Sequence, residues 1–501
     1  MDLFSLGFAS LTLASVAYCF AGVFLGTLIG VLPGVGALSA ISLLMPISFY
    51  LDPTTALVFL SGIYYGAEYG GSTASIMLNL PGTSSNAITC LDGYPMAQNG
   101  KAGVALTVTT YVSFFGGTVG ILLLTFLSPV ISRLAVAVGP SEYAAILLLS
   151  IIMAATISDG PPIKGIAMVL LGALLGTIGI DVNSGDFRFT LGLPDLFDGI
   201  SLVALALGTF GVGEVIFAIH AQRARGPMPK VTWRSMIPNW SEFLKTLLPM
   251  GRGTVVGSVV GPLPGAGPTI ASLIGYAIEK RISRTPGRFG KGAIEGIASP
   301  EAANNAAVQT AFIPTLSLGI PGSPTMAIML GALMIHGISP GPHFIAEQPE
   351  MFWGLIASFW IGNVILLALN LPLVGIWLWL LRIPYSMMYP VIVALICAGV
   401  YTLTNSSFAI WLVLGFGLLG FLLRLLHYSP APLLIGFILG PMLEENLRRA
   451  LVIHRGSYLD MLSRPATATL MLITVGVLVW ALVKRDPAET SDEAMGYTGD
   501  D

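Results

Sequence analysis

The chain has 501 residues, of which 54% are hydrophobic and only 10% charged, with a formal net charge of −3. Ordinary globular domains carry roughly 25% charged residues, so this composition excludes a soluble enzyme or binding domain. Nothing in it is basic enough to suggest nucleic acid, and its 59 Gly and 33 Pro suit helices that pack closely and break.

In chain order, the first predicted element is a long apolar run, Leu3–Leu51, free of Asp, Glu, Lys and Arg. It carries no basic n-region and no small-residue cleavage site, so it reads as a retained first span rather than a signal peptide. Ala102–Ser132, Ala302–Ala346, Met351–Leu381, Ile383–Leu423 and Pro465–Val483 are equally free of charge. A crossing takes roughly 20 apolar residues, and the chain has room for about 12 crossings with shorter, broken elements between them. The expected fold is all-α and polytopic, lying in a membrane.

Within the first run, Gly22, Gly26 and Gly30 form a glycine ladder that ends in Leu32, Pro33, Gly34 and Gly36. The pattern returns half a chain later as Gly253, Gly257, Gly261, Leu263, Pro264, Gly265 and Gly267. Paired interrupted segments in the two halves of a polytopic protein point to a transporter's substrate site. A broken helix presents free N–H groups and the positive end of a half-helix dipole, which suits an anion. Gly34, Gly36, Gly265 and Gly267 are therefore candidates for backbone contact with substrate. The plainer reading is that the glycines only allow helices to cross closely, and for the upstream ladders packing is the expectation.

A second kind of broken segment is polar where apolar residues are expected. Leu78-Asn79-Leu80-Pro81-Gly82-Thr83 is echoed by Leu318-Gly319-Ile320-Pro321-Gly322-Ser323. The candidate substrate ligands here are Pro81, Gly82, Thr83, Ser84 and Asn86, with Asn304, Asn305, Pro321, Gly322, Ser323 and Thr325 in the second half. Hydroxyls and amides recognise carboxylate oxygens without a full charge in the membrane, although they also bond simply from helix to helix. Glu68 and Glu301 each precede the polar segment of their half and read as symmetry equivalents. With Ser72 and Thr73 they are candidates for a coupling ion, Na+ or H+; the alternative is a helix-end carboxylate in the interface. Arg252 abuts the second ladder where the first has Ala21, and would either draw in an anion or snorkel to the surface. Asp92, Lys101, Asp159 and Lys164 lie near span ends and read as topological.

Arg223, Arg225, Lys230, Arg234 and Lys245 fill one connection, and Lys280, Arg281, Arg284, Arg288 and Lys291 the next. The positive-inside rule places both in the cytoplasm, so the second ladder leaves and returns on one side, as a re-entrant hairpin or a pair of spans. The matching connection near Asp52 has no basic residue, which is what an inverted repeat predicts. The acidic stretch from Asp181 to Asp198 would then be external. The expected organisation is a membrane repeat over 1–220, a basic connection over 221–245 and a second repeat over 246–460. An added span over 461–485 and an acidic, disordered tail over 486–501 complete it.

No enzyme constellation emerges. The five histidines are scattered without HExxH spacing, Cys19, Cys90 and Cys397 have no CxxC partner, and there is no GxxxxGK[ST]. No metal site and no cofactor are expected. Transport would draw on an ion gradient or on another subunit, and a passive anion channel is the rival reading.

Several blocks together resemble one family. Gly26–Gly36 and Gly257–Gly267 are similar to the large membrane subunit of tripartite tricarboxylate transporters. So are Tyr65-Gly-Ala-Glu-Tyr-Gly-Gly-Ser72, Asp92-Gly-Tyr-Pro-Met-Ala97 and Ser158-Asp-Gly-Pro-Pro-Ile-Lys-Gly165. Pro300-Glu-Ala-Ala-Asn-Asn305 and Leu318–Ser323 complete the set, which runs from about residue 15 to 450. The resemblance implies a bacterial inner-membrane permease with a small membrane subunit and a periplasmic solute-binding protein as partners. It implies uptake of citrate-like di- and tricarboxylates, or in some members aromatic acids, driven by a sodium or proton gradient.

Overall fold

A computed structural model describes residues 3–32, 35–157, 160–181, 184–220, 231–265, 267–381, 383 and 385–483. Pro33, Gly34, Ala266, Ser158, Asp159, Arg223, Arg225 and Lys230 lie outside the described residues, as does the expected tail. The protein is nearly all helical, with 80% helix and 1% strand. Eight helices among the described residues are long and apolar enough to cross a membrane. The expectation of about 12 counted charge-free sequence; much of that sequence forms helices that are shorter or more polar. Gly36–Ser48, Pro162–Gly176 and Pro324–Ile335 are apolar but short. Pro53–Leu78 is 26 residues long and almost wholly buried, yet its glycines and hydroxyls keep it outside the apolar class.

The chain forms two compact units, each drawn from two stretches. The larger takes Met1–Ala137 and Ile200–Leu425, and so holds both ladders and both Pro-Gly segments. The smaller takes Val138–Gly199 and Leu426–Asp501.

In the larger unit, local signals set the helix ends. Asp52 caps Pro53–Leu78 by accepting from Thr55 N at 3.0 Å, with Pro53 pre-organised at the first position. That helix stops at Asn79, whose φ of 56° is left-handed. The second half repeats the stop at Gly319, with φ 64°. Asn239 and Glu242 form a capping box at the start of Trp240–Val260.

The ladders are packing surfaces. A Cβ on Gly22, Gly26 or Gly30 would fall on the backbone of Phe59, Ile63 or Ala67 respectively. Gly62, Gly66 and Gly70 meet the Leu13–Gly30 helix in the same way from the other side. In the second half Gly253, Gly257 and Gly261 meet Ser299, Ala303 and Ala307. Lipid removes the hydrophobic drive for helix association, so this backbone approach is what holds the helices together. Gly257 and its neighbours sit on Trp240–Val260, which folds back as Gly267–Ile282: the Arg252 guanidinium reaches across to Glu279 at 2.6 and 2.9 Å.

The smaller unit uses the same device, with Gly172 against the Leu433 carbonyl and Gly436 against that of Val169. A two-stranded ribbon pairs Gly179 with Arg188 and Ile180 with Phe187. Its base is fixed by an ion network in which Arg448 contacts Asp181 at 3.0 Å and Glu444 at 2.6 Å, and Arg188 contacts Glu444 at 2.8 Å.

Candidate functional site

The two kinds of broken segment, separate in sequence, touch within each half. Gly82 lies so close to the Gly30 carbonyl and the Gly71 Cα that a Cβ there has no room. Gly322 stands in the same relation to the Gly261 carbonyl, 2.9 Å from where its Cβ would be. Gly36 and Gly267 take left-handed φ values of 71° and 52°, and a Cβ on either would come within 3.8 Å of the carbonyl oxygen of its half's Pro-Gly glycine, Gly82 or Gly322. Gly265 is also left-handed, with φ 78°. Only glycine adopts these conformations at no steric cost. Each ladder's broken end is thereby seated on the Pro-Gly turn that follows it.

Ser84, exposed on the short helical turn after Pro81 and Gly82, brings its hydroxyl 2.9 Å from that of Thr269. The first half's turn therefore meets the start of a second-half helix. Ser323 caps Pro324–Ile335 by accepting from Met326 N at 3.2 Å, and Thr325 is buried on that helix. Pro321 is buried beside it, while Pro81 is partly exposed.

Behind these turns lie two buried carboxylates, Glu68 at 4% exposure and Glu301 at 1%. Glu68 Oε2 receives the Thr83 hydroxyl at 3.1 Å, the Asn304 amide at 3.2 Å and the Ser85 hydroxyl. Glu301 receives Ser72 at 2.7 Å and Ser113 at 3.4 Å on Oε2, and Thr89 at 2.5 Å and the Asn86 amide at 3.2 Å on Oε1. Asn86 joins the two groups: its Oδ1 lies 2.5 Å from the Thr83 hydroxyl, and its amide also reaches Ser72 at 3.0 Å. Among the described residues no Lys or Arg pairs with either carboxylate. Buried charge is costly unless paired or well hydrogen-bonded, and here, among the described residues, hydroxyls and amides alone stand around the two carboxylates.

The expected symmetry between the carboxylates does not hold. The packing rows place Val308 where the first half has Glu68, and Ser61 where the second has Glu301. Glu301 sits about two helical turns further from its break than Glu68 does, on the same helix face. Proximity to a Pro-Gly turn sets the neighbourhood but not the depth.

Other expected residues have more local roles. Asn305 turns its amide back to the Glu301 carbonyl at 3.1 Å, and Thr73 is simply buried. Arg252 is no free charge: Glu279, 3% exposed, holds it in a bidentate pair and compensates it. Asp92 is fully buried and accepts from the backbone N–H of Gly290, Gly292 and Ala293 at 2.7 to 2.9 Å and from the Tyr276 hydroxyl. It pins the second basic loop against the Thr89–Met96 helix.

Sequence reasoning missed Ser113, one of several hydroxyls along the Ala102–Ala135 helix, and Tyr64, which reads as ordinary core. It also missed a small crevice beside the first break, lined by Val35, Ser39, Phe210, Glu214, Tyr389 and Ile392 among others. Glu214 there is ion-paired with Arg424, and the lining is otherwise mostly apolar.

Residues 16–435 match the tripartite tricarboxylate transporter TctA family. A protein of Agrobacterium vitis described as an uncharacterized 52.8 kDa protein in the TAR-I ttuC' 3'region is 46% identical over 498 residues. That alignment takes in 97% of this chain and 98% of the relative. A second A. vitis protein, uncharacterized and from the TAR-II ttuC' 3'region, is 48% identical over 242 residues, covering 47% of this chain and all of the relative. No solved structure matches the chain. The packed glycine ladders, the paired Pro-Gly turns and the buried carboxylates between them thus sit in a membrane subunit of known kind: the chain belongs to the TctA family of tripartite tricarboxylate transporters.

Proposed function

We propose that this protein is the translocating subunit of a binding-protein-dependent importer of di- and tricarboxylates in a bacterial inner membrane. It works by alternating access, driven by a sodium or proton gradient, with a small membrane subunit and a periplasmic binding protein as partners. The observation that carries this reading is the seating of each ladder's broken end on its own Pro-Gly turn, with a charged polar cluster directly behind. Backbone freed from helix in this way lines a pathway rather than lipid, and broken helices face substrate in secondary transporters.

In this reading the backbone around Gly36, Gly82, Gly265, Gly267 and Gly322, with the hydroxyls of Ser84, Ser323 and Thr325, meets the carboxylate solute. The two ladder-and-turn assemblies, within 1–220 and 246–460, act as an inverted repeat, and partly polar helices bring the crossings to about 12. The matched stops at Asn79 and Gly319, and the matched approaches of Gly82 and Gly322, support the repeat. Accumulation separates this reading from a passive anion channel. Labelled citrate should concentrate inside loaded vesicles well above its external level, whereas a channel would only equilibrate it. Other organic acids of the same charge are the alternative cargo, and competition against the labelled solute ranks them.

A further inference from the structure

We infer that Glu68, Asn304 and Tyr64 form the binding site of a coupling sodium ion, and that Glu301 takes no part in ion exchange. The assignment rests on the transport reading above and narrows it to particular oxygen atoms.

The two carboxylates are solvated very differently by the protein. Every donor to Glu68 falls on Oε2, and among the described residues none reaches Oε1. Thr83 has one proton to share between Glu68 and the closer Asn86 Oδ1, so the support for Glu68 is thinner still. Glu301 by contrast has donors on both oxygens from four side chains. A carboxylate bonded on every side stays in place, and one with a bare oxygen has room for a ligand.

Two further groups beside Glu68 are left incomplete. The Asn304 amide that donates to Glu68 carries a carbonyl oxygen, Oδ1, that is buried without a partner on a residue with no exposed surface. The Tyr64 hydroxyl, one helical turn before Glu68 on the same face, is equally buried, with the Ser323 side chain as a polar neighbour besides Glu68 and no well-formed hydrogen bond among the described residues. Buried polar atoms are nearly always satisfied, so an orphaned amide oxygen and a poorly satisfied hydroxyl next to a half-bare carboxylate mark a place where something binds. All three are oxygens, and among the described residues no cluster of His, Cys, Asp and Glu offers a transition-metal site. Hard oxygen ligands with a single negative charge suit a monovalent cation, and breaks in transporter helices are where such ions sit. Filling the site would satisfy the three atoms together and neutralise Glu68. Because Asn304 belongs to the second half and the other two to the first, the ion would tie the halves to each other.

The test is sodium binding itself, measured with radioactive sodium on the purified protein, with choline as the replacement cation. Saturable binding is expected in the natural protein. It should weaken on the order of tenfold or more, about the loss of one good ligand, in Glu68→Gln and in Asn304→Ala. Tyr64→Phe should weaken it less, and Thr469→Ala, on the exposed face of the last span, should leave it unchanged. Sodium should also raise the melting temperature of the natural protein and not that of Glu68→Gln, which reads the site even if a variant binds poorly for other reasons. No saturable binding to the natural protein, or natural affinity in Glu68→Gln, overturns the assignment. Carboxylate uptake on a proton gradient without sodium would leave the transport reading standing and remove this site. Sodium binding without any carboxylate flux would do the reverse.

Discussion

Asn304 donates its side-chain amide to Glu68 at 3.2 Å, and Asn86 donates its own to Glu301 at 3.2 Å. Each half of the chain therefore supplies an amide to the carboxylate of the other. The exchange is reciprocal in partners but not in depth or in completeness, since Glu301 has four donors and Glu68 keeps one oxygen bare. On the sodium-site proposal, that inequality is the difference between a carboxylate fully engaged in joining the halves and one with an oxygen left for a ligand.

It predicts opposite consequences for two similar substitutions. Glu301→Gln turns one acceptor into a donor that must face hydroxyl or amide donors, and should cost about 1–3 kcal/mol of stability. Glu68→Gln can place its new N–H₂ on the bare side and should melt close to the natural protein. Thermal unfolding of the two variants in detergent checks this, and equal losses would count against the difference between the sites.

The ladders predict a steric ranking among glycines. Gly26 and Gly66 face backbone with no space for a methyl group, so Gly26→Ala or Gly66→Ala should destabilise by about 1–3 kcal/mol through overpacking. Gly36 has open space, and Gly36→Ala meets only the strain of its left-handed backbone, about 1–2 kcal/mol. Gly36→Leu should leave the protein folded and abolish uptake, because the bulk would enter the solute path. Size-exclusion profiles alongside uptake distinguish lost folding from lost passage.

Arg252 and Glu279 should behave as a structural pair. Removing Arg252 leaves a buried carboxylate unpaired, so Arg252→Ala alone should be more harmful than Arg252→Ala with Glu279→Ala. A double-mutant cycle should give a coupling of about 0.5–3 kcal/mol. The KM for solute should stay near the natural value in the double variant. A large rise in KM there would restore Arg252 as an attractor of anions.

Asp92 anchors the loop that carries Arg284, Arg288 and Lys291, all exposed. Asp92→Ala removes several charge-assisted bonds, each worth roughly 1.5–3 kcal/mol. Trypsin cleavage in this loop should accelerate on the order of tenfold or more, since cleavage follows the open population. Unchanged cleavage would show that the loop is held by other contacts.

The architecture was legible in sequence to an uneven degree. Gly22, Gly26 and Gly30, with their counterparts Gly253, Gly257 and Gly261, announced close helix packing because a glycine every fourth residue has few other uses in a membrane. The Pro-Gly turns were equally plain, and so were Glu68 and Glu301 as charges out of place. What the sequence did not carry was phase and partnership. Being near a turn made the two glutamates look equivalent, while helix register, set by backbone contacts at Ile63 and Ala303, puts them at different depths. Arg252 stood out as a lone charge because its partner, Glu279, lies on the other arm of a hairpin. Ser113 and Tyr64 were invisible because only the fold shows which of a helix's several hydroxyls faces a carboxylate.

The most direct test is uptake of labelled citrate into proteoliposomes that hold this chain with its small partner subunit. It is run with and without the binding protein, under imposed sodium and proton gradients in turn, with four-carbon dicarboxylates as competitors. Accumulation that requires the binding protein and an ion gradient, and that disappears in Gly36→Leu, is the predicted result. Equilibration without accumulation, or accumulation that persists in Gly36→Leu, would contradict a gated carboxylate path at the paired breaks.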